Sequence, residues 1–208
     1  MTDTAGPIRV AIVDDHPVVR DGTAALLGQQ PGLRVVGTAS SIEEASSLLD
    51  PEVVDVLLLD IRLGTNSGLA LLDGEGRRPA VVVLTAYDYP QYAAAALRLG
   101  AAGFVVKTAP VAELVDAIRR AAAGGLAFTR RPDAASLPAL TGREFEVIRL
   151  VVDGCSNDEI GAKLGIASKT VESHLRRLFE RLGLQSRTEL ATRAIREGWL
   201  DMPVPRQG

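Results

Sequence analysis

Asp14, Asp15 and Asp60 follow two short apolar segments, Thr85 ends another, and Lys107 ends a fourth. In an open parallel sheet, side chains at the carboxyl ends of neighbouring strands converge on one crevice. Three carboxylates gathered there repel one another. A hard divalent ion such as magnesium relieves that repulsion and leaves coordination positions open for phosphate oxygens. A hydroxyl from Thr85 and an ammonium from Lys107 in the same crevice complement a phosphoryl group on Asp60. Taken singly, each residue has a plainer explanation: an Asp after a strand is often a helix N-cap, and a lone Thr or Lys at a strand end is usually solvated. All five at the strand ends of one βα pattern form a much stronger signal, because an uncompensated acidic cluster destabilises a purely structural crevice.

The chain pattern supplies such strands. Ile8, Val10 and Ile12 alternate in an apolar segment that ends at Asp14 and Asp15, and Pro17 opens a helical stretch to about Gln29. Leu33 to Thr38 reads as a strand, Ser41 to Glu44 as a capping box and Glu43 to Leu49 as a helix. Val53 to Leu59 and Ala80 to Leu84 are nearly unbroken apolar runs, as in central strands covered on both faces. Gln91 to Leu99 reads as a helix, Gly103 to Val106 as a strand and Val111 to Ala123 as a helix. Strands alternating with helices imply a parallel sheet between helix layers, since each parallel pair needs a crossover. The expected N-terminal domain, residues 1–124, is α/β, with a doubly wound five-stranded parallel sheet.

Gly124 and Gly125 end that pattern, and Arg130 to Pro138 lacks apolar periodicity, so 125–139 reads as a linker. Residues 140–208 carry no strand signal. Capping boxes at Thr141 to Glu144, Ser156 to Glu159 and Ser186 to Glu189 each open a helix, and Ser168 is an expected N-cap for one more. The second domain is therefore an all-α four-helix unit. In Lys169 to Leu182, Val171, Leu175, Leu178 and Leu182 form a buried stripe, opposite Lys169, Ser173, Arg176 and Glu180, with Glu172 and Arg177 on the edges. Such a basic face suits a DNA major groove, and a solvated surface helix would look the same. The preceding helix and the short turn at Gly165 make the arrangement a helix-turn-helix, and Lys169, Thr170, Glu172, Ser173, Arg176 and Arg177 become the candidate DNA contacts. His174 lies beside the apolar stripe and suits packing or a phosphate contact.

Composition removes several classes. Apolar residues are 47% and charged residues 24%, as in ordinary folded proteins rather than disordered or collagenous ones. Cys155 is the sole cysteine and His16 and His174 the only histidines, which exclude an internal disulfide and a multi-histidine metal site. Any metal must sit on carboxylates. The net charge of -3 divides unevenly: residues 1–124 hold ten basic and fifteen acidic side chains, residues 125–208 thirteen and eleven. No apolar run is long enough to span a bilayer and no secretory signal opens the chain, so a cytoplasmic location without membrane partners is expected.

Residues 8–123 resemble the CheY-like, flavodoxin-like receiver domain of bacterial response regulators, through "VDDHPVV", "VDVLLLDIRL", "VVLTAYD" and "AAGFVVKTA". The resemblance implies that Asp60 is the phosphoacceptor and that Asp14, Asp15, Asp60 and the backbone carbonyl of Arg62 hold Mg2+. It assigns the phosphoryl oxygens to Thr85 and Lys107 and makes Phe104 the switch aromatic. The family usually has proline where this chain has Gly64, which implies a looser loop after Asp60. Residues 140–200 resemble the LuxR-type output domain of NarL/FixJ response regulators, through "LTGREFEVIRLVVDG", "SNDEIGAKLGI", "SKTVESHLRRLFERLGL" and "RTELATRAI". The family often has a basic residue at the place of Glu172, and it dimerises through the last helix, here Arg187 to Gly198. The implied protein is a transcription regulator, not an enzyme beyond self-catalysed phosphoryl transfer and autodephosphorylation. Its implied partners are a sensor histidine kinase, double-stranded promoter DNA and a second copy of itself. The rival classes are an aspartyl-phosphate enzyme such as a phosphatase, and a regulator answering to a protein or small ligand with its acidic pocket idle.

Overall fold

A computed structural model of the chain describes residues 6–64, 66–72, 77–129 and 140–201. It divides into two compact units, Met1–Ala134 and Ala135–Gly208. The expected linker segment Arg130 to Pro138 lies outside the described residues.

In the first unit, β1 (Ile8–Val13), β2 (Leu33–Ala39), β3 (Val56–Leu59), β6 (Ala80–Thr85), β7 (Gly103–Val106) and β8 (Ala127–Phe128) form one parallel sheet in the order β2-β1-β3-β6-β7-β8. Alternate residues of each strand enter opposite layers, because successive strand side chains point to opposite faces. Val10, Ile12, Val56, Leu58, Val82 and Leu84 pack with Leu27 of α1 (Pro17–Gly28) and Val115 and Ile118 of α4 (Val111–Ala122). Ala11, Val13, Leu57, Leu59 and Val81 pack on the other side with Ala45 of α2 (Ile42–Ala45). Each fully buried Val or Leu contributes roughly 1.5–3 kcal/mol. The helix α3 (Pro90–Arg98) joins β6 to β7.

Three local features depart from the sequence pattern. The strand β3 begins at Val56 rather than Val53, because the amides of Val53 and Val54 turn back to the Asp50 carbonyl. Asp55 then accepts from the Arg9 backbone N–H at 2.7 Å and from its guanidinium, also at 2.7 Å, which ties the start of β3 to β1. After β3, where the sequence pattern named no element, a small antiparallel pair, β4 (Arg62–Leu63) and β5 (Asn66–Ser67), leads into a 3-10 helix at Gly68–Leu72. Gly64, between β4 and β5, has φ +62°, a conformation closed to the proline of the resembled family, whose ring holds φ near about −65°.

The third is β8, a sixth strand in a segment expected to be linker. Ala127 N–H donates to Ala102 O at 2.8 Å, and Thr129 donates to Phe104 O from both its N–H (3.1 Å) and Oγ1 (3.0 Å). Residues 125–129 thus belong to the first unit. Gly103 allows this close approach: a Cβ there would meet the Ala127 carbonyl oxygen at 2.6 Å. Gly103→Ala is therefore expected to detach β8 at a cost of about 1–3 kcal/mol. Urea denaturation should report the loss, with faster hydrogen exchange at the Ala127 and Thr129 amides; unchanged exchange there would show that β8 does not depend on Gly103.

The second unit comprises α5 (Gly142–Val152), α6 (Asn157–Leu164), α7 (Ser168–Leu182), α8 (Arg187–Arg196) and a 3-10 turn at Trp199–Asp201. Both Thr141 and Ser156 form complete capping boxes, with Glu144 and Glu159. Ser186 accepts from Glu189 N–H, but the Glu189 carboxylate accepts from Gln185 N–H instead. Ser168 is not the N-cap of α7. Ala167 is, its carbonyl accepting from Thr170 and Val171, so Ser168 becomes the first helical residue. The turn between α6 and α7 is held tightly, since a Cβ on Gly161 would meet Ile166 O at 2.6 Å. Val147, Ile148, Ile160, Val171, Leu178 and Trp199 form the core. Cys155 is buried at its edge, where Lys163 Nζ donates to its Sγ at 3.2 Å. Among the described residues, no helix is long and apolar enough to cross a membrane.

Candidate functional site

The strand ends of the first unit do converge. Hydrogen bonds just past the strands hold the site backbone: Asp14 N–H to Ala39 O (3.0 Å), Asp60 N–H to Val13 O (2.9 Å) and Lys107 N–H to Thr85 O (2.7 Å). Lys107 Nζ lies 2.6 Å from Asp60 Oδ2 and 2.7 Å from Asp14 Oδ2. Asp14, Asp60 and Thr85 are buried. Burial pushes the Asp60 carboxyl above the usual carboxylate range; Lys107 opposes that shift and Asp14 adds to it. Burial alone would lower the Lys107 ammonium, but its bonds to Asp14 and Asp60 outweigh that and raise it. One cation therefore holds two mutually repelling, nearly dry carboxylates side by side.

Asp15 stands at the rim. Burial acts to raise its carboxyl, but the Gly64 N–H donating to Oδ2 at 2.8 Å and the neighbouring His16 hold it below the ordinary range. Its Oδ1 lies 2.7 Å from His16 Nδ1 without hydrogen-bond geometry, which leaves a buried acceptor oxygen with no donor. Ligand atoms of Asp14, Asp15, His16 and Asp60 all lie within 4.8 Å of one another. A mostly oxygen donor set with an orphaned acceptor fits a hard divalent cation such as Mg2+. His16 was not among the expected ligands; its signal was adjacency to the paired aspartates in "VDDHPVV".

Arg62, whose carbonyl was an expected ligand, lies on β4 two residues past Asp60. Its guanidinium donates to Tyr87 Oη at 3.0 Å and sits 4.6 Å from the centre of the Tyr87 ring. Tyr87 follows Thr85 by two residues, and its N–H donates to Thr85 Oγ1 at 3.3 Å. Arg62 and Tyr87 thus bridge the loops that leave Asp60 and Thr85, and sequence reasoning missed the pair because nothing local joins the two positions. Phe104 is not in the crevice. It is fully buried in β7, in register with Val83 and Phe128.

In the second unit, Val171, Leu175 and Leu178 bury one face of α7. Lys169, Thr170, Glu172, Arg176 and Arg177 are exposed on the other, and Ser173 and His174 are half-buried. Lys169, Thr170, Ser173, His174 and Arg177 line a shallow concavity of about 300 Å3. The far end of α7 is tied to the start of α5, where Arg181 Nη2 pairs with Glu144 Oε2 at 2.8 Å. Burial acts to raise the Glu144 carboxyl, but Arg181 and the Thr141 N–H and hydroxyl outweigh it and hold it low.

A depressed carboxyl pKa stabilises the folded state above its unfolded value and ceases to do so as pH falls through the folded one. Glu144→Gln keeps an oxygen for the Thr141 N–H but loses the charge facing Arg181, and is expected to cost about 1 kcal/mol at neutral pH, the upper end for a partly exposed ion pair. The gap to wild type should close as pH falls below about 4.3. Thermal unfolding of both proteins at several pH values checks this, and a gap independent of pH would refute the assignment.

Residues 10–119 match the response regulator receiver domain family, and residues 138–194 match the LuxR family of bacterial regulatory proteins. The chain is 40% identical over 198 residues to the transcriptional regulatory protein UhpA of Salmonella typhimurium, an alignment covering 92% of this chain and 100% of that protein. It is 34% identical over 200 residues to the DNA-binding transcriptional activator DevR/DosR of Mycobacterium tuberculosis, covering 88% and 92%. The fold is similar to that of RcsB from Salmonella enterica serovar Typhimurium, bound to a promoter in the presence of the phosphomimetic BeF3-. There the TM-score is 0.62 and the identity 27%, covering 90% of this chain and 98% of that one.

Proposed function

The chain belongs to the response regulators that join a receiver domain to a LuxR-type DNA-binding domain, transcription regulators of two-component systems, and we propose that Asp60 is its phosphoacceptor. The observation that carries this reading is Lys107 Nζ held between Asp60 Oδ2 at 2.6 Å and Asp14 Oδ2 at 2.7 Å, at the carboxyl ends of the strands. A carboxylate oxygen of Asp60 attacks phosphorus in a phosphohistidine of a partner kinase, or in acetyl phosphate. The bond to the donor breaks, and the phosphoryl group remains on Asp60 as an acyl phosphate. Lys107 then donates to the phosphoryl oxygens. The Thr85 hydroxyl, already accepting from Tyr87 N–H, has its own proton to donate to them. Asp14, Asp15, Asp60 and the Arg62 carbonyl would hold Mg2+, whose charge neutralises the transferring group.

Drawing Thr85 and Lys107 toward phosphate biases β6 and β7, where Phe104 acts as the switch aromatic, toward a state competent for DNA binding. The helix α7 then enters the major groove of promoter DNA with Lys169, Thr170, Glu172, Ser173, Arg176 and Arg177. Two chains pair through α8, where Thr188, Thr192 and Ile195 are exposed. Both partners, kinase and DNA, place the protein in the cytoplasm. An aspartyl-phosphate phosphatase would need a carboxylic general acid beside the nucleophile, and the position two residues past Asp60 holds Arg62, not Asp, with its guanidinium engaged by Tyr87. The reading is tested by mass spectrometry after incubation with acetyl phosphate or a phosphorylated kinase. One adduct on the Asp60 peptide is expected, whereas an adduct elsewhere, or none from either donor, would reject it.

A further inference from the structure

Lys169 and Glu172, one turn apart on the exposed face of α7, form an ion pair with Nζ to Oε2 at 2.7 Å and side chains 83% and 60% exposed. A pair so exposed adds little to stability. Its position gives it consequence, because the N-terminal residues of a recognition helix are the ones that meet base edges. An anionic side chain carried among phosphates is repelled unless a donor meets it. In the major groove the only such donors are the amino groups of cytosine N4 and adenine N6.

The pair also has the spacing of a base-pair edge. In a G·C pair, guanine O6 accepts from cytosine N4 at about 2.9 Å, close to the 2.7 Å between Lys169 Nζ and Glu172 Oε2. The intact ion pair can therefore lie edge to edge on a G·C pair, the ammonium donating to O6 and the carboxylate accepting from N4. Reversing the base pair sets ammonium against amino group and carboxylate against carbonyl oxygen. A T·A pair offers the same carbonyl and amino order but replaces the second guanine acceptor, N7, with the thymine methyl beside O4. Lys169 gains from N7, so G·C is favoured.

We propose that Lys169 and Glu172 act together to read one G·C pair in a fixed orientation, Lys169 on guanine and Glu172 on cytosine. This rests on the reading of α7 as the recognition helix and specifies what part of it recognises. Lys169 also holds the Glu172 carboxyl below its ordinary range. Glu180, two turns further along, lies outside the base-reading end and serves as a control.

The experiment is selection from a randomised duplex library with the full-length protein and phosphodonor, followed by titration of the selected site with single base-pair changes at fixed salt. The wild type is expected to select G·C at one position and to lose on the order of tenfold in affinity when that pair is reversed. Glu172→Ala should flatten the preference there. Glu172→Gln should move it toward adenine, whose N6 and N7 a glutamine amide matches, and Glu180→Gln should leave every position unchanged. If Glu172→Ala instead tightened binding to all sequences equally and kept the same preference, Glu172 would only be repelling phosphates and the proposal would fall. A wild type that selects no sequence at all would overturn the DNA-binding reading itself, a failure visible before any variant is compared.

Discussion

With Asp60 replaced by alanine, the protein is expected to take up no phosphate, and acetyl phosphate with magnesium should no longer change its affinity for DNA. Asp60 is the carboxylate that β3 delivers to the floor of the crevice, with Lys107 Nζ 2.6 Å away. Typical couplings between a switch and its output are about 1–3 kcal/mol, or roughly 5- to 150-fold in affinity. The wild type should show a change in that range and the variant none. The variant should also be no less stable. Asp60 is a buried carboxylate pushed upward by desolvation and by Asp14, and its removal leaves Lys107 paired with Asp14 at 2.7 Å. A lost response with an unchanged or raised melting temperature would separate loss of signal from loss of fold. Donor-dependent tightening that persists in Asp60→Ala would sink the proposed switch.

Gly68→Ala is expected to be among the most damaging small substitutions in the chain. A Cβ at position 68 would lie 2.0 Å from the backbone carbonyl oxygen of Asp60 and 3.2 Å from Leu59 Cδ1. No side-chain rotation relieves a contact with backbone, and Gly68 N–H is itself bonded to Ile61 O at 2.6 Å. The segment after Asp60 must move, so we expect a loss of about 3 kcal/mol or more in urea denaturation together with failure to accept phosphate. Gly64→Ala provides the contrast. Its φ of +62° is unfavourable for alanine, but nothing lies within 4 Å of a Cβ there. It should cost about 1–2 kcal/mol and leave phosphate uptake largely intact. Equal damage from the two substitutions would mean that loop strain, not the contact with Asp60, governs the site.

The receiver core was legible because its determinants are short-range. Val53 to Leu59 and Ala80 to Leu84 read as buried strands from their nearly unbroken apolar runs, close to the observed Val56–Leu59 and Ala80–Thr85, and the convergence of Asp60, Thr85 and Lys107 follows from the parallel arrangement such runs require. The boxes at Thr141 and Ser156 were likewise readable, since a cap is a bond between residues three apart. Ser168 shows the margin: it has a suitable side chain, but the helix begins one residue earlier around the Ala167 carbonyl.

Other features have no local signature because their partners are distant in the chain. Two residues at 127 and 128 become a strand only because β7 offers an open edge and Gly103 lets the Ala127 carbonyl approach. Gly68 is one glycine among 20 until the Asp60 carbonyl is found beside it. Arg62 stacks on Tyr87 from 25 residues away, and Asp15 Oδ1 is left without a donor by the loop that brings Gly64 to Oδ2. Residue types and their periodicity thus specify which groups reach the crevice and the exposed face of α7, since strand and helix periods are local. Which oxygen is bonded, which is bare and which backbone must be glycine depend on separations of a few ångströms between remote segments, and those exist only after the chain has packed.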